Sequence, residues 1–255
     1  MTGVTESPFF TVEADMPGDR GRSGIIHTPH GDIRTPAFIA VGTKGSVKAV
    51  LPETMAELGA QAVLANAYHL YLQPGPDIVE EAGGLGTFMN WPGPTFTDSG
   101  GFQIMSLGAG LGKVLMEDPD RVQGDDLVAR GKQKLAHVDD DGVTFISHLD
   151  GSTHRFTPEV SIGIQHQLGA DIIFAFDELT TLVNTRAYQE ESLARTHAWA
   201  QRCLTEHHRL LAAATPARPR QALFGVVQGA NYEDLRRQAC RGLDSLVDAE
   251  GHGFD

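Results

Sequence analysis

Four short apolar runs, each closing on polar residues, constrain this chain more than anything else in it. They are AVLANAYHL (Ala62–Leu70), TFTD (Thr95–Asp98), DIIFAFDELT (Asp171–Thr180) and ALFGVVQGA (Ala222–Ala230). Strands of continuous apolar character belong to sheets covered on both faces. Between them the period changes. SVKAVLPETMAELGA predicts a helix ended by Gly59. Leu193, Ala200, Leu204 and Leu211 recur at spacings of seven, four and seven, with Trp199 and Cys203 alongside, which predicts a long amphipathic helix. A further helix starts near Tyr232 and shares Leu235, Ala239, Leu243 and Val247 on one face. Strand–helix alternation predicts an α/β fold with a parallel sheet, in about five steps, either an open sheet or an incomplete (β/α)8 barrel.

Some segments break this rhythm. SGIIHTPHGDIRTPAFIAVG reads as antiparallel β with turn chemistry at Thr28, Pro29, His30 and Gly31. Residues 108–141, with MEDPDRVQGDD and HVDDDG, read as an acidic surface loop insertion. GVTFISHLDGSTHRFTPE predicts a hairpin turning at Asp150–Gly151. HGFD at the end predicts the opening of another strand with an uncovered edge. The expectation is a single catalytic-type barrel domain over residues 1–255, truncated at its C-terminus.

The chain has 255 residues, 41% of them hydrophobic, which suits one large core. The absence of a bilayer-length apolar run and of a signal pattern predicts a cytoplasmic protein with no membrane partner. Two cysteines cannot build a disulfide framework or a four-thiolate zinc site. A net charge of −13 means that nucleic-acid binding needs a local basic patch or a further segment.

The runs end in chemistry. The first delivers Asn66, Tyr68 and His69. The second delivers Asp98, Ser99, Gly100, Gly101, Phe102 and Gln103. The third delivers Asp177 and Glu178, and the fourth Gln228 and Gly229. Taken alone, Asp-Ser-Gly-Gly is an ordinary turn. Polar groups at the carboxyl ends of successive parallel strands, however, converge on one mouth. Guanine offers adjacent N–H donors, a carbonyl and a stacking face. Asp177, Gln228 and Phe102 complement those features, and Gly100 and Gly101 let backbone N–H groups approach. Other flat amide-bearing rings fit equally well.

VGTKGSVKAV, NAYHL, TDSGGFQIMSL, FDE and VVQG, in this order and spacing, resemble the tRNA-guanine transglycosylases, or queuine tRNA-ribosyltransferases, over most of residues 20–255. The resemblance implies a TIM-barrel-like fold. It implies exchange of guanine at the tRNA anticodon wobble position for a 7-deazaguanine, queuine or its precursor, in queuosine biosynthesis. It implies Asp98 as general acid/base, Phe102 stacking on the base, and Asp177 and Gln228 recognising the base edge. Ser99, Gly100, Gly101, Gln103 and Gly229 would line the same site. The partners implied are tRNA, the free base and, at full length, a second copy in a homodimer. The family's nucleophilic aspartate, a glycine-leucine stretch and a zinc site of three cysteines and a histidine lie further downstream. The expectation is therefore no cofactor in this chain, zinc in the full-length family, and an inactive isolated fragment. Leu179 stands where many bacterial members carry cysteine. The family's double displacement follows the logic of retaining glycosidases: one carboxylate attacks C1′, the other handles the proton on the departing base.

Two rival readings compete. One is a non-catalytic accessory protein of the same fold, the other a hydrolase of another barrel family using Asp98 and Asp177. Some residues imitate sites. His197, Cys203, His207 and His208 fit a half-buried amphipathic helix better than a metal centre. His27 and His30 read as hairpin residues, and His69 as packing beneath the site. Glu178 should point away from Asp177 on an extended chain. Lys44 and Lys48 lack phosphate-loop spacing. Asp139–Asp141 reads as solvated loop.

Overall fold

The computed structural model describes residues 8–108, 136–182, 184–214 and 219–255. Strands β1 (Phe10–Asp15), β2 (Arg22–Thr28) and β3 (Gly31–Thr35) form an antiparallel sheet. Its β2–β3 hairpin turns at Pro29–His30 and pairs Thr28 with Gly31, as the turn residues predict.

The chain then alternates. It runs through β4 (Ala40–Val41), α1 (Pro52–Glu57), β5 (Val63–Ala65), three short helices α2 (Ala67–Leu72), α3 (Pro76–Glu81) and α4 (Leu85–Met89), β6 (Thr95–Thr97) and α5 (Gly101–Gly108). An antiparallel excursion follows, β7 (Ala136–Asp139), β8 (Gly142–Ile146) and β9 (Thr153–Phe156). Then come α6 (Pro158–Leu168), β10 (Ile172–Phe174), α7 (Arg186–Ala213), β11 (Ala222–Phe224) and α8 (Glu233–Ser245). Strands β4, β5, β6, β10 and β11 lie side by side in chain order and are all parallel. Every carboxyl end therefore opens on the same rim.

Two apolar clusters fix this arrangement. Ile33 of β3 packs with Ala62, Phe96, Ile172 and Ala222, so the antiparallel sheet covers the amino-end portion of the parallel strands. The larger cluster joins Tyr68, Phe145, Phe156, Phe176 and Trp199, all essentially without solvent exposure. Phe176 stacks on Trp199 at 5.1 Å between ring centroids, and Trp199 Nε1 donates to the Asp140 carbonyl at 2.7 Å. Local signals set the helix ends. Thr157 caps α6 through Val160 N–H, Pro158 opens it, and Gly169 closes it at φ +70°. Thr185 caps α7 through Tyr188 N–H.

Several sequence expectations need correction. The helix expected from Ser46 starts only at Pro52, because proline sits at its first position and residues before a proline disfavour helix. The strand expected over Ala62–Leu70 ends at Ala65. Asn66 stays extended, and Tyr68 and His69 lie on α2. The 108–141 insertion is not all loop. Gly108 ends α5 and Ala136–Asp139 is β7, while 109–135 lies outside the described residues. Asp139–Asp141 is solvated but paired. Asp139 forms a two-pronged ion pair with Arg155 at 2.6 and 2.7 Å, which holds its carboxyl well below the usual range. Asp140 meets Arg195 at 3.2 Å and Asp141 meets Arg202 at 3.8 Å. Val247 lies beyond α8 and is exposed. His252–Asp255 forms no assigned strand. Asp255 N–H nevertheless bonds to the Leu223 carbonyl of β11 at 3.1 Å, and Phe254 packs on the main core, so that edge is partly covered. Among the described residues no helix is long and apolar enough to cross a membrane.

Candidate active site

Two carboxylates stand at the shared rim. Asp98 follows β6, and its oxygens are held by the element that follows β5. Asn66 Nδ2 donates to Oδ2 at 2.5 Å, and Ala67 N–H, at the start of α2, donates to Oδ1 at 2.8 Å. The strand must stop at Asn66 for both donors to face Asp98. Burial pushes the Asp98 pKa up, against the hydrogen bonds from Asn66, Ala67, Gln103 and Gly100, which favour the ionised form. Gln103 thus turns its amide N–H towards Asp98, and its Oε1 is buried with no hydrogen-bond partner among the described residues.

Asp177 follows β10. Ser99 Oγ donates to its Oδ1 at 3.2 Å, and Gln228 Nε2, beyond β11, donates to Oδ2 at 2.6 Å. Burial raises its pKa to about 6, opposed by the Ser99 and Gln228 bonds and reinforced by the nearby Asp98 charge. Each carboxylate oxygen has two lone pairs, so both keep room for a further donor. Three of the strand ends are therefore cross-linked through one side chain.

The remaining expected residues take distinct positions. Gly100 adopts φ +83°, where side chains are disfavoured. A Cβ on Gly101 would meet the Asp177 carbonyl at 2.7 Å, so this glycine serves the close approach of two backbones. Gly101 N–H itself bonds to Ser99 Oγ at 3.3 Å. Phe102, at the start of α5, leaves about half its surface exposed (49%), available as a stacking face. Gly229, at φ +115°, packs against the first turn of α8. Glu178 points the opposite way from Asp177, as expected. It is buried against α7, ion-paired to Arg195 at 2.5 Å and accepting from Tyr188 OH at 2.5 Å.

Sequence reasoning singled out Asn66 without assigning it a role, and it missed His148. The turn after β8 brings His148 Nδ1 within 2.9 Å of Tyr68 OH, and edge-on to His69 at 5.9 Å. Burial, His148 and Lys44 all lower the His69 pKa, so its ring stays neutral near pH 7. No local pattern announces this group, since its members come from distant segments. Ser161 of α6 also ties down the turn, donating to the Ser99 carbonyl at 2.7 Å. The sequence has two cysteines, Cys203 buried and Cys240 exposed.

The family model described as Queuine tRNA-ribosyltransferase matches residues 18–254. A Queuine tRNA-ribosyltransferase of Roseiflexus sp. (strain RS-1) is 45% identical over 240 residues, covering 93% of this chain and 58% of the relative. Those of Herpetosiphon aurantiacus and Symbiobacterium thermophilum are 45% and 44% identical, over 90% and 93% of this chain and 50% and 51% of their own lengths. The chain spans about half the length of these curated relatives. With the match running through nearly every element of the fold, the chain belongs to the queuine tRNA-ribosyltransferase family.

Proposed function

We propose that this chain carries the base-handling site of a tRNA-guanine transglycosylase, which exchanges guanine in the anticodon wobble position of tRNA for a 7-deazaguanine. The observation that carries the reading is the Asp98–Asp177 pair: two carboxylates with raised pKa values, on neighbouring strand ends, with separate donor sets. A group whose pKa is moved towards neutrality is suited to proton transfer, and guanine leaves ribose more readily with a proton or firm hydrogen bond. Asp98 takes that role. Asp177 accepts the two adjacent N–H donors of the base edge, Gln228 turns its amide to the base carbonyl, and Phe102 stacks on the ring. Gln103 Oε1, without a hydrogen-bond partner among the described residues, offers a further acceptor beside Asp98. Chain-order packing of parallel strands supports a TIM-barrel-like (β/α)8 architecture. The target nucleotide must leave its stack to reach such a site.

Binding of free bases to the 255-residue protein tests the pocket. Asp177→Asn places an NH2 where a base donor points. An opposed donor pair costs on the order of 1–3 kcal/mol, so guanine affinity should drop roughly ten- to a hundredfold. Xanthine carries a carbonyl in place of guanine's amine, so the same substitution should narrow the gap between the two bases. Calorimetric titration with each base measures both effects. An unchanged guanine/xanthine ratio would mean that Asp177 does not read that edge.

The same carboxylate sets a pH dependence. Guanine needs Asp177 ionised, and its pKa in the free protein is about 6. Protonation therefore competes below that value, and affinity should be about tenfold weaker at pH 5 than at pH 7. The loss should persist in Asp98→Asn and vanish in Asp177→Asn. A flat profile in the unsubstituted protein refutes the assignment.

A further inference from the structure

A second polar cluster lies on other elements. His208, near the end of α7, and Asp248 and His252, in the segment after α8, bring one ligand atom each within 4.8 Å of one another. His208 Nδ1 lies 2.8 Å from Asp248 Oδ2, and His252 Nδ1 shares a hydrogen bond with the same oxygen at 3.1 Å. The His208 and His252 rings face each other at 4.9 Å.

The other carboxylate oxygen is already committed. Glu250 N–H and His252 N–H donate to Asp248 Oδ1 at 3.0 and 2.8 Å, closing a tight turn. Oδ2 is thereby aimed at the two imidazoles. The Asp248 side chain is 2% exposed, so a carboxylate is held in a place where it needs a positive partner. His208 Nδ1 does not satisfy that need by an ordinary bond. It is buried, and despite its closeness to Oδ2 it has no aligned hydrogen-bond partner among the described residues. The contact is an ion pair if His208 is protonated, and without an aligned hydrogen bond the same two atoms are placed as two ligands of one ion would be.

The spacings fit. Metal–nitrogen and metal–oxygen bonds of about 2.1 Å put neighbouring ligand atoms about 3.0 Å apart in an octahedron and about 3.4 Å apart in a tetrahedron. The observed contacts sit close to the smaller spacing. The His252 side chain is 62% exposed and leaves the cluster an open side.

We infer that His208, Asp248 and His252 form a binding site for one divalent transition-metal ion, of the zinc, cobalt or nickel class, clamping the segment after α8 onto α7. Two imidazoles and one carboxylate select such ions over magnesium or calcium, which prefer all-oxygen sets. The set contains no thiolate, so it is distinct in kind from a site of three cysteines and a histidine. Its effect is mechanical. Two residues beyond His252, Phe254 packs on the main core, and Asp255 then bonds to Leu223 of β11. An ion would brace that segment.

Isothermal titration of the 255-residue protein with Zn2+, and separately with Mg2+, tests the site. The expected result is one Zn2+ per chain, no Mg2+ binding in the same range, and a raised melting temperature with Zn2+. His252→Ala removes one exposed ring and keeps the backbone N–H that closes the turn, so the fold should persist while Zn2+ affinity falls at least tenfold. Asp248→Asn should lose more. Co2+ absorption should show a nitrogen/oxygen-ligand spectrum without a thiolate charge-transfer band, which separates this site from the exposed Cys240. Absent Zn2+ binding, equal binding by His252→Ala, or a thiolate band overturns the inference and leaves a hydrogen-bonded turn.

Discussion

Asp98→Asn is expected to slow base exchange by about 10²–10⁴-fold, the range typical of a lost general acid/base. The substitution keeps the volume of the side chain and removes its proton chemistry. It also turns an NH2 towards Asn66 Nδ2 or Ala67 N–H, which now approach at 2.5 and 2.8 Å. The rate and the ground state should separate. Asp177 and Gln228 handle the base edge in the proposed arrangement, so guanine binding by Asp98→Asn should stay within a few fold while turnover collapses. Because the chain spans about half of its relatives' length, turnover is best followed with the matching substitution in the whole Roseiflexus relative, as incorporation of labelled guanine into tRNA. Near-normal incorporation refutes the role. Loss of guanine binding in parallel with rate would instead assign Asp98 to holding the base.

Asp171→Ala should destabilise the folded protein by about 3 kcal/mol, a loss with no chemistry in it. Asp171 immediately precedes β10, and its side chain is fully buried. Oδ2 accepts from Thr95 N–H at 2.8 Å and from Thr95 Oγ1 at 3.3 Å, while Oδ1 meets His30 Nδ1 at 2.7 Å. The truncation orphans a buried backbone donor at the start of β6 and releases the hairpin turn that carries His30. His30 is half exposed, so its share of the loss is small. Denaturant unfolding compares Asp171→Ala with His30→Ala, which should cost well under half as much. Equal costs would place the stabilisation in the histidine contact.

The sequence made the long elements legible and the short ones only in outline. Helix α7 has the periodic face read from Leu193, Ala200 and Leu204, and these are buried as that face requires. The junction at Asn66 was invisible because apolar residues continue from β5 into α2, and nothing local tells a buried strand from a buried helix turn. The site divides in the same way. Asp98, Asp177 and Gln228 stood out as polar ends of apolar runs. The donors that hold Asp98, the ring of His148 and the trio around Asp248 depend on contacts between distant segments, which no spacing encodes. His30 shows the limit most plainly: its hairpin was legible, but its partner lies 141 residues away.

Strands that all run one way give aspartate two unrelated occupations. At the rim where strands begin, Asp171 is a clasp. At the rim where they finish, Asp98 and Asp177 are, in the proposed reading, reagents in waiting. A heat challenge applied to a library of variants should weigh most on the first, and a selection for modified tRNA at low temperature chiefly on the second. The two demands fall at opposite ends of the same strands, which lets chemistry be retuned at one rim with the clasp at the other left in place.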